Sequence, residues 1–165
     1  MTFADVVVLL EPNKSIEMNN YKSWKNVSVN NKLYLQVLTK EWMKISRISE
    51  EEEVDILILK IFMANAHFYL IAVYLHPIDQ CRRMNTLNLL ERYTLDDLRD
   101  EQLVIVGDFN TDLTINKKYS KDEQKIFEDI TKATKFEITS DYTWVLGGDE
   151  FKDKKSLIDF VLSWN

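Results

Sequence analysis

Two apolar runs, residues 54–62 and 67–74, are separated by only four residues, Met63-Ala64-Asn65-Ala66. Runs of seven to nine residues rich in Ile, Leu, Val and aromatic side chains, joined this closely, meet as a β-hairpin. Lys60 either faces outward or lays its stem along apolar neighbours. A chain built around such a hairpin needs further strands or helices to cover both of its faces.

The rest of the sequence supplies them. Residues 4–10 form a β-branched apolar run ending at Glu11-Pro12, the pattern of a buried strand stopped by a loop. Leu33, Leu35 and Val37 alternate with Tyr34, Gln36 and Leu38, which suggests another strand, and residues 50–53 form an acidic run that reads as an exposed turn. From Gln80 to about Arg99 the period becomes helical, with Met84, Leu87, Leu90 or Glu91, Thr94 and Leu98 at steps of three and four. A short strand is expected over 103–107. Ser120-Lys-Asp-Glu123 is a capping box opening a helix whose buried face would carry Ile126, Phe127, Ile130 and Ala133. A last strand, 157–162, follows the turn-rich Gly147-Gly148-Asp149. Strands outnumber helices, and helices stand between strand groups. The expected class is therefore α/β (α+β), a layered sandwich, and 165 residues fit a single domain, 1–165.

The net charge of −6 sets this chain apart from proteins that grip nucleic acid mainly by neutralising phosphates. An acidic chain would need a cation before it could accept a phosphodiester. The basic pairs Arg82-Arg83 and Lys154-Lys155 read as solvated surface. Cys81 is the single cysteine, so no intrachain disulfide forms and an intracellular compartment, cytoplasmic or nuclear, is expected. The opening Met-Thr-Phe-Ala-Asp lacks the basic region of a signal peptide, and no apolar run approaches the ~20 residues of a membrane helix. The sequons at Asn13 and Asn26 are read as chance.

Acidic and amide side chains stand where strands end. Glu11 follows Val6-Val-Val-Leu-Leu10, Asp108 and Asn110 follow Val104-Ile-Val-Gly107, and Asp159 lies within 157–162. A carboxylate at the lip of an apolar strand is costly to desolvate unless it is paired, hydrogen-bonded or bound to metal. Oxygen-only donors suit Mg²⁺ or Mn²⁺, and no Cys/His spacing suggests zinc. Taken singly, each of these residues reads as a turn former or as surface; their joint arrangement points to a metal-dependent site.

Val104-Ile-Val-Gly-Asp-Phe-Asn110 resembles the Gly-Asp-Phe-Asn signature of the endonuclease/exonuclease/phosphatase superfamily, and the following Thr111-Asp-Leu113 is similar to the version in endonuclease domains of non-LTR retrotransposons. Asp5-Val-Val-Val-Leu-Leu-Glu11 resembles that family's strand ending in the metal-binding Glu. Ala72-Val-Tyr-Leu-His-Pro77 resembles its Tyr-x-x-Pro strand. Tyr142-Thr-Trp144 and Ser156-Leu-Ile-Asp159 are similar to its Thr-Trp and Ser-x-Ile-Asp segments. The resemblance implies a four-layer α/β/β/α sandwich and Mg²⁺-dependent hydrolysis of DNA or another phosphodiester. By the same resemblance, Glu11 would bind the metal. Tyr74 would lie near the scissile phosphate and stabilise its developing charge. Asp108 would orient or deprotonate water, and Asn110 would hydrogen-bond the nucleophile or a phosphate oxygen. Trp144 would shape the pocket floor, and Asp159 would orient the family's catalytic histidine.

The chain departs from the pattern at both ends. It starts almost at the Glu strand, without the family's earlier Asn-bearing strand, and it stops before a Ser-Asp-His segment. Neither histidine takes that position. His67 opens a strand and reads as structural, and His76 lies in the variable spacer two residues beyond Tyr74. The middle section is also unusual, since no glycine precedes Gly107 where related retroelement domains carry glycine-rich turns. The expectation is a truncated, incomplete domain of impaired catalysis, with exposed edges that favour self-association. A non-catalytic remnant or scaffold, and a phosphatase for a small or lipid substrate, are the alternatives.

Overall fold

The computed structural model describes residues 4–12, 14–27, 32–50, 53, 55–110 and 119–134, with backbone alone beyond residue 132, where strands are placed at 137–138, 144–145, 155–156 and 159–163. Two antiparallel or mixed sheets face one another. The first holds β1 (Val6–Leu10), β3 (Leu33–Lys40) and β2 (Tyr21–Val27) in the order β1-β3-β2. The second runs β4 (Lys44–Arg47), β5 (Ile56–Phe62), β6 (His67–Tyr74), β7 (Leu103–Asp108), β11 (Asp159–Ser163), β8 (Glu137–Ile138). A separate pair joins β9 (Trp144–Val145) to β10 (Lys155–Ser156). This is the α+β layered sandwich that the strand and helix periods imply.

The hairpin forms as expected. β5 and β6 pair from Ile56↔Val73 to Phe62↔His67, and the Met63 N–H closes the turn on the Ala66 carbonyl at 2.8 Å. Side chains alternate between the two faces of each strand, and that alternation divides the core. Leu57, Leu59, Ile61, Leu70, Ala72 and Tyr74 point between the sheets, against Leu35 and Val37. Ile56, Ile58, Ile71, Val73 and Ile105 point the other way, beneath the helices. β3 is buried along both faces. Its outer side is closed by the segment 14–20, where the Gln36 amide donates to the Ile16 carbonyl at 2.6 Å and accepts from the Ile16 N–H at 2.9 Å.

α1 (Gln80–Glu91) begins at Asp79, whose carboxylate caps the Arg82 N–H at 3.0 Å. The helix does not run uniformly to Arg99. It widens into a π-helical stretch, Arg92–Asp97, closed by the Leu98 N–H on the Tyr93 carbonyl at 2.9 Å. The extra residue lets Tyr93 enter the core beside Thr94 and Leu98. The Tyr93 hydroxyl reaches Glu53 at 3.1 Å, so the last acid of the 50–53 run is tucked inward and only Glu50 is exposed among the described residues of that run. α2 (Lys121–Thr134) opens with the expected capping box: the Ser120 N–H donates to Glu123 Oε2 at 2.7 Å, and the Glu123 N–H donates to Ser120 Oγ at 3.3 Å. Phe127 and Ile130 are buried as anticipated.

The basic pair Arg82-Arg83 is not solvated surface. Arg83 is buried and donates to the fully buried Glu123 at 2.9 Å, and Arg82 forks onto the buried Asp55. The local sequence shows two arginines on a helix, whereas the partners that draw them inward lie 27 and 40 residues away. The sequon at Asn26 is likewise inside the protein, its amide clamped between the Glu53 and Ile56 carbonyls at 2.6 and 2.7 Å.

Gly107 occupies the one position in β7 where a side chain has no room. It pairs with Val73, and a β-carbon there would stand 2.2 Å from the Val73 carbonyl oxygen and 2.5 Å from its Cγ1. The obstacle is backbone, so it does not swing aside. Gly107→Ala is expected to destabilise the fold by about 1–3 kcal/mol or more, read as a lower urea midpoint. An unchanged midpoint would mean that β6 and β7 are not packed this closely.

Candidate active site

Four of the residues singled out from the sequence are brought to one mouth between the sheets. β6 and β7 run parallel, with Tyr74 opposite Asp108. In β7, Leu103 and Ile105 face the helices while Val104 and Val106 face the other sheet. Alternation therefore turns Asp108 to the inter-sheet side, where Tyr74 also points. β1 delivers Glu11 to the same mouth. Leu10 pairs with Leu35, and the Glu11 N–H donates to the Tyr34 carbonyl at 2.9 Å.

Side-chain contacts complete the placement. The Tyr74 hydroxyl donates to Glu11 Oε1 at 2.7 Å. Tyr74 is almost fully buried, and burial, then the bond to Glu11, then the charges of Glu11 and Asp108, hold its phenol well above the usual range, so it stays protonated. Its ring stacks on Tyr34, centroids 4.9 Å apart and planes inclined by 23°. Asp108 Oδ1 accepts the Asn110 N–H at 2.8 Å, and the Leu75 N–H donates to the Asp108 carbonyl at 2.8 Å. The Asn110 amide donates to the Leu75 carbonyl at 2.9 Å, tying the loops after β6 and β7 together.

Glu11 and Asn110 both adopt left-handed backbone, with φ of 46° and 47°. Asparagine enters that region readily, but for glutamate it costs about 1–2 kcal/mol. The chain turns sharply at the ends of β1 and β7, and both turned residues are candidate site residues. Strain of this kind persists where the surroundings over-determine it.

His76 lies nearer than its place in a variable spacer suggests. Its ring meets those of Tyr74 and Tyr34 edge-on at 6.3 and 6.5 Å, and its Nδ1 accepts the Asp79 N–H at 2.9 Å. His67, at the other end of β6, contacts Glu101 at 2.9 Å, in keeping with a structural role. For Asp159 and Trp144 the backbone alone is described. Asp159 pairs with Asp108 across β11 and β7, and Trp144 pairs with Ser156 across β9 and β10. The Thr111-Asp-Leu113 stretch lies outside the described residues. Tyr34, which supplies a carbonyl to Glu11 and a ring to Tyr74, carries no signal in the sequence beyond its place in an alternating strand.

Among the described residues, no three or more His, Cys, Asp or Glu side chains are grouped as a metal cage. The donors that converge are oxygens of one or two carboxylates, the set Mg²⁺ takes when most of its shell remains water. Glu11, exposed and anchored through one oxygen, fits that role. Among the described residues, no helix is long and apolar enough to cross a membrane.

No protein-family model matches the sequence, and no curated protein matches it. Solved structures match in fold. The endonuclease domain of TRAS1, a telomere-specific non-LTR retrotransposon, superposes with a TM-score of 0.75 at 12% identity, over 98% of this chain and 74% of that one. TDP2 from D. rerio, complexed with single-strand DNA product, gives 0.59 at 12% identity, over 98% and 71%. The mannosyl-6-phosphatase Bt3783 of Bacteroides thetaiotaomicron VPI-5482 gives 0.53 at 13% identity, over 89% and 64%. The chain thus has the endonuclease/exonuclease/phosphatase fold and spans roughly two thirds to three quarters of these relatives, which agrees with the order of motifs along its sequence.

Proposed function

We propose that this chain is a Mg²⁺- or Mn²⁺-dependent phosphodiesterase acting on DNA. The observation that carries the reading is the convergence of Glu11, Tyr74, Asp108 and Asn110, from three separate strands, on one mouth between the sheets. Glu11 would hold the cation, and a bound cation would offset charge on the phosphoryl oxygens. Tyr74 directs its single hydroxyl hydrogen to Glu11, so it acts by orienting that carboxylate. Asp108 takes a proton from the attacking water, held in line by the Asn110 N–H on its Oδ1. Asn110 has one amide hydrogen committed to Leu75 and a second to offer a phosphate oxygen. Asp159, opposite Asp108, and Trp144 would complete the pocket. The TRAS1 endonuclease and the DNA complex of TDP2 favour DNA as substrate.

The testing experiment is nicking of supercoiled plasmid with Mg²⁺, alongside calorimetric titration of Mg²⁺. Glu11→Ala is expected to abolish both nicking and the Mg²⁺ binding heat. Equal binding heats in the two proteins would remove Glu11 from the metal site. Hydrolysis of a soluble phosphate monoester without plasmid nicking would move the assignment to a phosphatase, a chemistry that the same fold also carries.

A further inference from the structure

The side chains behind Tyr74 form a continuous line. Asp55, buried just before β5, receives two hydrogen bonds from Arg82, one from Nε to Oδ2 and one from Nη2 to Oδ1 at 2.7 Å. The guanidinium, fixed in its plane by this fork, lies over the Tyr34 ring with Cζ 4.3 Å from the centroid. Tyr34 stacks on Tyr74, and Tyr74 donates to Glu11. The backbone repeats the connection: the Asp55 carbonyl accepts the Tyr74 N–H at 2.9 Å, and the Tyr34 carbonyl accepts the Glu11 N–H at 2.9 Å. The Tyr74 end of this hydrogen bond is therefore braced twice, through the Asp55 carbonyl and through the Tyr34 ring, and the Glu11 end once, through its backbone N–H on the Tyr34 carbonyl.

We propose that Asp55, Arg82 and Tyr34 are positioning residues for the candidate site: the Asp55–Arg82 fork sets the plane of Tyr34, and Tyr34 sets the angle at which Tyr74 addresses Glu11. None of the three aligns with a motif quoted for the family, and none reaches the mouth through its own reactive group. A planar, bidentate donor is needed because a lysine ammonium at position 82 would keep the charge but neither the fork nor the flat face. The inference rests on the phosphodiesterase reading for its effect on rate, and on geometry alone for its effect on the tyrosine pair.

The test uses the full chain with Arg82→Lys, Tyr34→Phe, Tyr34→Leu and the double substitution Asp55→Asn with Arg82→Gln. The double variant leaves no buried charge unpaired, which guards against loss of folding; far-UV circular dichroism confirms the fold of each. Two stacked tyrosines give a near-UV dichroic signal. That signal is expected to weaken in Arg82→Lys and the double variant, which keep both tyrosines; Tyr34→Phe and Tyr34→Leu each remove one chromophore of the pair and are compared with one another by activity. In plasmid nicking, kcat is expected to fall about 10- to 100-fold in Arg82→Lys, Tyr34→Leu and the double variant, with KM within about twofold, and Tyr34→Phe, which keeps the stacking ring, to stay close to the parent. Unchanged near-UV signals in folded Arg82→Lys and in the folded double variant would overturn the proposal, as would a loss confined to KM. A parent chain that does not nick DNA would count against the phosphodiesterase reading, while the near-UV comparison would still decide the positioning role.

Discussion

Asp108→Ala is expected to lower Mg²⁺-dependent plasmid nicking by roughly 10²- to 10⁴-fold, the range for loss of a positioned acid–base group. Asp108 stands at the last position of β7, opposite Tyr74 on one side and Asp159 on the other. Its carboxylate is oriented by the Asn110 N–H, so alanine removes both the proton acceptor and the partner that holds the Asn110 turn. Asp108→Asn separates these effects, because an amide oxygen still accepts from Asn110 but cannot take a proton. Comparable losses in both variants would identify proton transfer as the role. Near-parental nicking by Asp108→Asn would reduce it to orientation of water and neighbours, and full activity in Asp108→Ala would remove Asp108 from the chemistry.

Arg83→Ala is expected to cost about 3–5 kcal/mol of stability, since it strands a buried carboxylate. Glu123 is fully buried, and Arg83 donates to it at 2.9 Å while also donating to the His76 carbonyl at 3.0 Å. One guanidinium thus ties α1 to α2 and to the loop after β6. Replacing both partners with methionine should be far milder, because no charge is then left unpaired. The Glu123 carboxyl is pulled two ways: burial, the largest influence, pushes it up, but hydrogen bonds from Ser120 and Arg83 prevail and hold it below its ordinary value. Its contribution to stability is therefore complete above the unfolded value of about 4.3 and is lost as pH falls through the lower folded value. Urea midpoints measured from pH 7 downward should fall in the parent over that acid window. A parallel fall in the double methionine variant would trace the loss to other carboxylates.

What could be read from the sequence follows from where the determining forces act. The 54–74 hairpin, β1, β7 and the capping box were legible because period and turn chemistry are local. β2 was not: Tyr21-Lys-Ser-Trp-Lys-Asn26 is half polar, and it becomes a strand through tertiary partners such as the Glu53 and Ile56 carbonyls that clamp Asn26. β4, Lys44-Ile-Ser-Arg47, is a short edge strand fixed by pairing with β5. Among the candidate site residues, Glu11, Tyr74, Asp108 and Asn110 stand out in the sequence because each lies at or just beyond the end of a strand within a recognisable motif. Tyr34, Asp55 and Arg82 were not, since their placement depends on contacts 27 to 48 residues apart along the chain. Arg82 and Arg83 are the plainest case, read as surface because one-dimensional charge says nothing about a carboxylate waiting on another element.

The sheets have a polarity that bears on how this molecule can change length. Glu11, Tyr34, Tyr74 and Asp108 all lie at one end of their strands, whereas the turns at 41–43 and 63–66 lie at the other. Residues added at the second end lengthen a surface turn and leave every side chain facing as before. A single residue added within 69–74 or 103–108 would rotate Tyr74 or Asp108 to the helix side of its sheet. Insertions and fused labels are thus tolerable at one pole of the protein and ruinous at the other, although the two poles are separated by no more than the length of a strand.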